Sequence, residues 1–262
     1  MLIKLNQLNS GYNEVTNMDS KVPEMLMDIG IQKIEKEQQV SFLDDRKESA
    51  FLLLAGAVVF QWEDRRESAV RTSLFDENPT ALHVPKGVAV RIMAEDDSEL
   101  LIQKTTNESE FQPVYYGQND CVCEKLGEDV WDNMALRVIR TVFDYRNAPY
   151  SNMVLGEVIN FQGKWSSYIP HGHDQPEVYY YRFDKEGGFG AGFIGDDVYK
   201  IEDNSALCIP GGPTHPQVTA PGYPMYYCWM IRHLDGNPWV GRTNDKRYEW
   251  LLEENVRIWP QK

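Results

Sequence analysis

The sequence predicts an all-β protein built as two barrels in tandem, and three observations carry that expectation. Short runs rich in Val, Ile, Tyr and Phe recur along the chain, separated by Gly, Pro, Asn and Asp. No long amphipathic helical pattern interrupts them in the middle of the chain. A Pro-x-Gly turn occurs once in each half, in similar apolar surroundings.

Taken in order, the strand-like runs are Ala50–Phe60, Val88–Ala94, Glu99–Lys104, Leu136–Phe143, Met153–Phe161, Val178–Phe183, Ala206–Ile209 and Tyr226–Ile231. Within the first of these, Phe51–Phe60 is the most apolar stretch. It falls well short of the roughly 20 residues needed to span a bilayer, so it reads as a buried strand. Near the C-terminus, Arg247–Asn255 has the pattern of a short helix. Many short strands with regular turn signals suit a sandwich or a barrel.

The repeat divides the chain. Pro85-Lys-Gly87 precedes Val88-Ala-Val90, and Pro210-Gly-Gly212 precedes Pro213-Thr-His215. Superimposing the two turns sets Val90 where His215 falls. The first half has no His-x-His, and its one histidine, His83, precedes the turn. A barrel without metal is therefore expected over residues 1–120 and a metal-bearing barrel over 121–262, with the boundary in the polar stretch Glu110–Asp132.

Composition narrows the partners. The 262 residues are 42% hydrophobic and 25% charged, ordinary values for a globular chain able to bury a core. A net charge of −14 repels phosphate backbones, so no nucleic acid is expected. An acidic substrate would need local Arg or Lys to overcome that field. Neither a membrane span nor a signal-peptide core is visible, and a cytoplasmic location is expected. Of the four cysteines, Cys121 and Cys123 flank a single residue, and Cys208 and Cys228 sit in apolar runs; all four read as reduced thiols.

Three of the five histidines fall in two short motifs, His171-Gly-His173-Asp-Gln-Pro-Glu177 and Pro210-Gly-Gly-Pro-Thr-His215. Residues i and i+2 of a strand share a face, so His171 and His173 can both aim into a barrel. Asp174-Gln-Pro176 is turn chemistry, which leaves Glu177 to open the next strand. His215 would arrive from another strand after its Gly/Pro turn. Imidazole with carboxylate suits one divalent ion: Zn, Mn, Fe, Co or Ni.

These motifs match the cupin pattern, and their flanks resemble something narrower. The stretch from Gly156 through Trp165-Ser-Ser-Tyr-Ile-Pro-His171-Gly-His-Asp174 is similar to the 5-deoxy-glucuronate isomerase family of inositol catabolism. So are Tyr179-Tyr-Tyr-Arg-Phe183, Gly188-Phe-Gly190 and Ala220-Pro-Gly-Tyr-Pro-Met-Tyr-Tyr227. In the first half the likeness continues in Arg71-Thr-Ser-Leu-Phe75, Pro79 and Val84-Pro-Lys-Gly87, and past the boundary in Leu136-Arg-Val-Ile-Arg140, so that it runs from about residue 50 to about residue 240. The chain departs from the family between His173 and Glu177, where the gap is shorter, and over Ala191–Gly195 and Cys228–Gly236. The resemblance implies two cupin barrels of the double-stranded β-helix (jelly-roll) type. It also implies metal ligation by His171, His173, Glu177 and His215, an aldose–ketose isomerase of a sugar acid, and a homo-oligomer.

Parity along the strand after the ligands offers further site residues. Glu177, Tyr179 and Tyr181 share a face, and either tyrosine could move a proton or simply pack. Arg182 and Lys164 are candidates for a substrate carboxylate, although the parity of Arg182 points outward, where a surface or interface role serves as well. Glu157 reads as a core-edge carboxylate and His233 as an exposed side chain. Alternative functions are the pectin-pathway isomerase of 4-deoxy-5-keto-hexuronate, a cupin dioxygenase and a non-catalytic sugar-binding cupin.

Overall fold

The computed structural model describes residues 1–260. The last two positions of the expected second barrel, Gln261 and Lys262, lie outside the described residues. Ten strands precede the expected boundary: β1 (Leu2–Lys4), β2 (Gly11–Thr16), β3 (Asp28–Ile34), β4 (Gln39–Phe42), β5 (Lys47–Trp62), β6 (Arg65–Arg71), β7 (Ala81–Val84), β8 (Val90–Ala94), β9 (Ser98–Thr106) and β10 (Val114–Tyr116). Twelve follow it: β11 (Val122–Leu126), β12 (Arg137–Phe143), β13 (Met153–Asn160), β14 (Trp165–Ser166), β15 (His171–Gly172), β16 (Glu177–Phe183), β17 (Phe189–Ile194), β18 (Asp197–Glu202), β19 (Ser205–Ile209), β20 (Gln217–Thr219), β21 (Met225–Arg232) and β22 (Thr243–Asn244). Every run expected to be a strand is one.

The long strand β5 serves two layers. Its first part pairs with β7 and β9, its second with β6 and β8. The pairing register shifts between Leu53 and Ala55, and Gly56 follows at φ +99°, a backbone geometry that favours glycine. A side chain at Gly56 would also strike Ser98. This bend lets one strand turn the corner of the first barrel.

In the second half a seven-stranded sheet, ordered β1-β19-β16-β21-β13-β12-β11, faces a four-stranded sheet, β14-β20-β17-β18. The expected boundary at 120/121 falls between β10 and β11, strands of different sheets. Residues 2–4 cross that boundary, because β1 pairs antiparallel with β19, Leu2 opposite Leu207.

Three cores result. One fills the first barrel around Phe51, Phe60 and Ile92, and another fills the second around Tyr181, Leu207 and Tyr227. The third lies between the barrels, where Ile29, Leu52 and Leu101 of the first half pack on Val178, Tyr180 and Met230 of the second. The large sheet is thus covered on both faces, which is why Glu177–Phe183 carries no alternation of polar and apolar residues.

At the C-terminus the expected helix is a 3-10 segment, Lys246–Leu252, that buries none of its side chains; Asp245 caps it by accepting from the Arg247 amide. No helix in the described residues is long and apolar enough to cross a membrane.

Candidate metal centre

The two histidine motifs meet because glycines let their backbones touch. A Cβ on Gly172 would run into the carbonyl oxygen of Gly212, and one on Gly211 into that of Asp174. The Gly212 amide donates to the His173 carbonyl at 2.7 Å and locks the contact. Glu177 opens β16, the strand between β19 and β21, where it lies opposite Ile209 and Ile231. His215 enters from the loop between β19 and β20.

Each imidazole is oriented by a backbone carbonyl. Nδ1 of His171 lies 2.8 Å from the Ile169 oxygen, that of His173 2.9 Å from the Gln175 oxygen, and that of His215 3.0 Å from the Pro213 oxygen. A carbonyl can only accept, so each Nδ1 carries a proton and Nε2 of each ring is the nitrogen turned to the cavity, a lone-pair donor to a metal in the neutral tautomer. Nε2 of His173 and Nε2 of His215 both stand 3.2 Å from the same Glu177 oxygen, Oε2. Three acceptors converge there, and Nε2 of His215 is buried without a hydrogen-bond partner. Such an array calls for a cation, and imidazole-plus-carboxylate donors fit a divalent transition metal.

The ligand atoms of His173, Glu177 and His215 lie within 4.8 Å of one another. His171 lines the same cavity, its ring centre 5.2 Å from that of His215, but stands outside that tight trio.

Electrostatics favour the neutral ring at His171 and the carboxylate at Glu177. Burial, with help from Arg242 and His215, pulls His171 down to about 3, so its ring is neutral at any ordinary pH. Burial raises the Glu177 carboxyl, but contacts with His173 and His215 outweigh it and bring the group down to about 2. For His173 burial is likewise opposed, by Glu177, and the net shift is upward.

Of the other expected site residues, Tyr179 lines the cavity, with its hydroxyl 3.3 Å from Ser167 Oγ. Tyr181 does not. Its hydroxyl donates to Gln217 Oε1 at 2.6 Å in the barrel interior, an arrangement that fits the packing reading of this residue. Arg182 points to the other face of β16, as its parity implies, and bridges the barrels by pairing with Glu99 at 2.8 Å and Asp203 at 3.3 Å. Lys164 sits in the turn before β14 and is not on the cavity wall. Neither cation is placed to meet a substrate there.

Sequence reasoning did not single out the wall residues Arg137, Trp239 and Arg242. Arg137, Ile139 and Thr141 alternate along β12 and all face the cavity, a period-two signal that was open to reading. Trp239 and Arg242 come from the segment after β21. That segment folds back so that β22 pairs with β15, Asn244 opposite His171. His233 is buried rather than exposed, because its Nδ1 accepts from the Trp239 amide at 2.9 Å and holds the returning segment. Asp174 tethers the same segment by accepting from Asn237.

Comparison with known proteins agrees with this architecture. The IolB-like protein of Salmonella typhimurium LT2 superposes with a TM-score of 0.86 over 96% of this chain and 99% of its own, at 18% identity. The oxalate decarboxylase of Lactobacillus farciminis does so at 0.68 over 97% and 90%, at 12% identity, and the fold is that of cupin-type barrels. Among curated proteins, the 5-deoxy-glucuronate isomerase of Bacillus subtilis subsp. natto is 26% identical over 209 residues, 70% of this chain and 71% of its own. That of Bacillus velezensis is 23% identical over 273 residues, 94% and 96% of the two chains. A model of the KduI/IolB family matches residues 1–251, and the chain belongs to that family.

Proposed function

We propose that this protein is a metal-dependent aldose–ketose isomerase that converts 5-deoxy-glucuronate to 2-deoxy-5-keto-gluconate. The isomerase class follows from the family and from the shared name of its curated relatives; the metal and the substrate are the proposal. One observation carries it: the convergence of His173 Nε2, His215 Nε2 and Glu177 Oε2 on one point of the cavity wall.

His171, His173, Glu177 and His215 would hold the ion, which when bound supplies Lewis acidity toward a sugar carbonyl. The chain's own residues do the rest. The carbonyls of Ile169, Gln175 and Pro213 keep the three imidazoles in one tautomer and one orientation. Burial holds the Tyr179 hydroxyl far above its usual range, so it stays protonated and serves as a donor to a substrate oxygen rather than as a resting base. Ser167 and Tyr227 complete that polar edge, with Trp229 and Trp239 as flat walls for the carbon chain. The net change moves a hydrogen from C2 to C1 of the open-chain aldose and the O2 hydroxyl proton to O1, which leaves a hydroxymethyl at C1 and the ketone at C2.

The pectin-derived 4-deoxy-5-keto-hexuronate would keep the class and the site; the curated relatives named for 5-deoxy-glucuronate favour the first substrate. Proton NMR of metal-replete protein with 5-deoxy-D-glucuronate tests the reading, with His215→Ala as control. Formation of the ketose by wild type, lost in the variant along with bound metal, is expected. No conversion by metal-replete wild type would overturn the substrate assignment.

A further inference from the structure

Every buried or half-buried arginine but one has an evident partner for its charge. Arg71 pairs with Glu157, Arg182 with Glu99 and Asp203, and Arg232 with Asp235. Arg140 donates to three backbone carbonyls and lies 3.8 Å from Glu157. Arg137 is 5% exposed and makes a single hydrogen bond, Nη1 to the Ala135 carbonyl at 2.8 Å. No carboxylate pairs with it among the described residues, in a chain with 40 acidic side chains. Burying a guanidinium without an anion is costly, and a fold that keeps one holds it for something that binds there.

Arg137 lines the cavity of the metal centre, beside Ile139 and Thr141 of the same strand face. A second guanidinium, Arg242, reaches the same cavity from the segment that pairs with β15. It too has no carboxylate partner among the described residues. Glu124 also lines the cavity, without an ion-pair partner among the described residues. Arg146 is held by Asp144 at 2.6 Å, with Glu124 nearby, and Glu177 faces the histidines.

We infer that Arg137, from the barrel wall, and Arg242, from the returning C-terminal segment, form the seat for the substrate's carboxylate, with the histidine–glutamate cluster at the carbonyl end. A guanidinium binds a carboxylate in two parallel hydrogen bonds, and two guanidiniums of one cavity offset the repulsion of a −14 chain where the acid enters. The occupant is an open-chain sugar acid, charged at one end and carbonyl at the other. The inference rests on the isomerase reading above for the identity of that acid, though not for the requirement of a carboxylate.

The test is calorimetric binding of D-glucuronate and of D-glucose to metal-loaded wild type, Arg137→Met, Arg137→Lys and Arg242→Met, with metal content measured in each. Wild type should prefer the uronate by tenfold or more. Arg137→Met and Arg242→Met should erase that preference while retaining metal, and Arg137→Lys should restore part of it. Arg242 is exposed, so its variant keeps the test alive if Arg137→Met does not fold. With 5-deoxy-D-glucuronate as substrate, the variants should raise KM ten- to a hundredfold with kcat within a few-fold, the signature of lost uniform binding. Wild type that does not discriminate uronate from hexose, or variants that keep the preference, would overturn the seat. Arg137-dependent uronate binding without turnover would overturn the isomerase reading and leave the seat in place.

Discussion

Arg71 of the first barrel lays Nη1 and Nη2 on the two carboxylate oxygens of Glu157 in the second, at 2.7 and 2.8 Å, and neither side chain is exposed. Glu157 also accepts from the Tyr226 hydroxyl at 2.8 Å. The ion pair sits in the seam between the barrels, and two fully desolvated charges depend on one another there. Arg71→Met is expected to cost about 3–5 kcal/mol, since it strands a buried carboxylate. Joining it with Glu157→Met should recover part of that loss. Urea denaturation of both variants measures the difference, and equal losses in single and double variants would contradict the account.

Gly172 and Gly211 should tolerate no side chain. Gly172→Ala is expected to push the His171–His173 strand off the Gly212 turn and weaken metal binding by about 10- to 100-fold, the range for a misplaced ligand. Competition with a chelator reads this directly, and unchanged affinity would show that the turn can yield.

The two neighbouring tyrosines of β16 are predicted to separate by function. Tyr179→Phe should lower kcat by about 10²-fold or more with bound metal unchanged. Tyr181→Phe should leave kcat within a few-fold and cost about 1 kcal/mol of stability through its lost bond to Gln217. Steady-state kinetics beside thermal denaturation distinguishes them; the reverse pattern would refute the placement.

Burial, followed by the nearby Arg232 cation, depresses His233 to about 4. The unfolded chain, with an ordinary histidine, takes up a proton at higher pH than the folded one. Stability from this residue is therefore fully present above the ordinary histidine range and is lost as pH falls through that range toward 4. His233→Asn keeps an acceptor for the Trp239 amide and removes the titration. Its metal-free form should lose less stability than metal-free wild type between pH 7 and pH 4.5; parallel curves would count against the assignment.

Much of this architecture was legible in the chain. His171, His173, Glu177 and His215 are legible because strand parity and turn chemistry act over a few residues, and the structure gathers all four on one cavity. Arg182 was considered for the site on its charge, yet parity already turned it outward, to Glu99 of the other barrel. Arg242 and Trp239 could not be read, because what positions them is the return of the C-terminal segment onto β15, a pairing some seventy residues apart in sequence. His233 was misread for the same reason, since its burial depends on that returning segment. Arg137 was readable in principle from the alternation Arg137, Ile139, Thr141, but a lone arginine in a strand becomes informative only once its lack of a partner is seen.

The pairing of Leu2–Lys4 with Ser205–Leu207 has a consequence for how the molecule comes to exist. A ribosome releases the first strand long before its neighbour is made, and the two meet only after about two hundred residues have been laid down between them. The chain therefore closes like a clasp, and the order of synthesis and the order of assembly run against each other at that edge. Cutting the halves apart at residue 120 would not yield two finished pieces: the piece bearing the histidines would expose the bare rim of β19, an invitation to pair with a stranger.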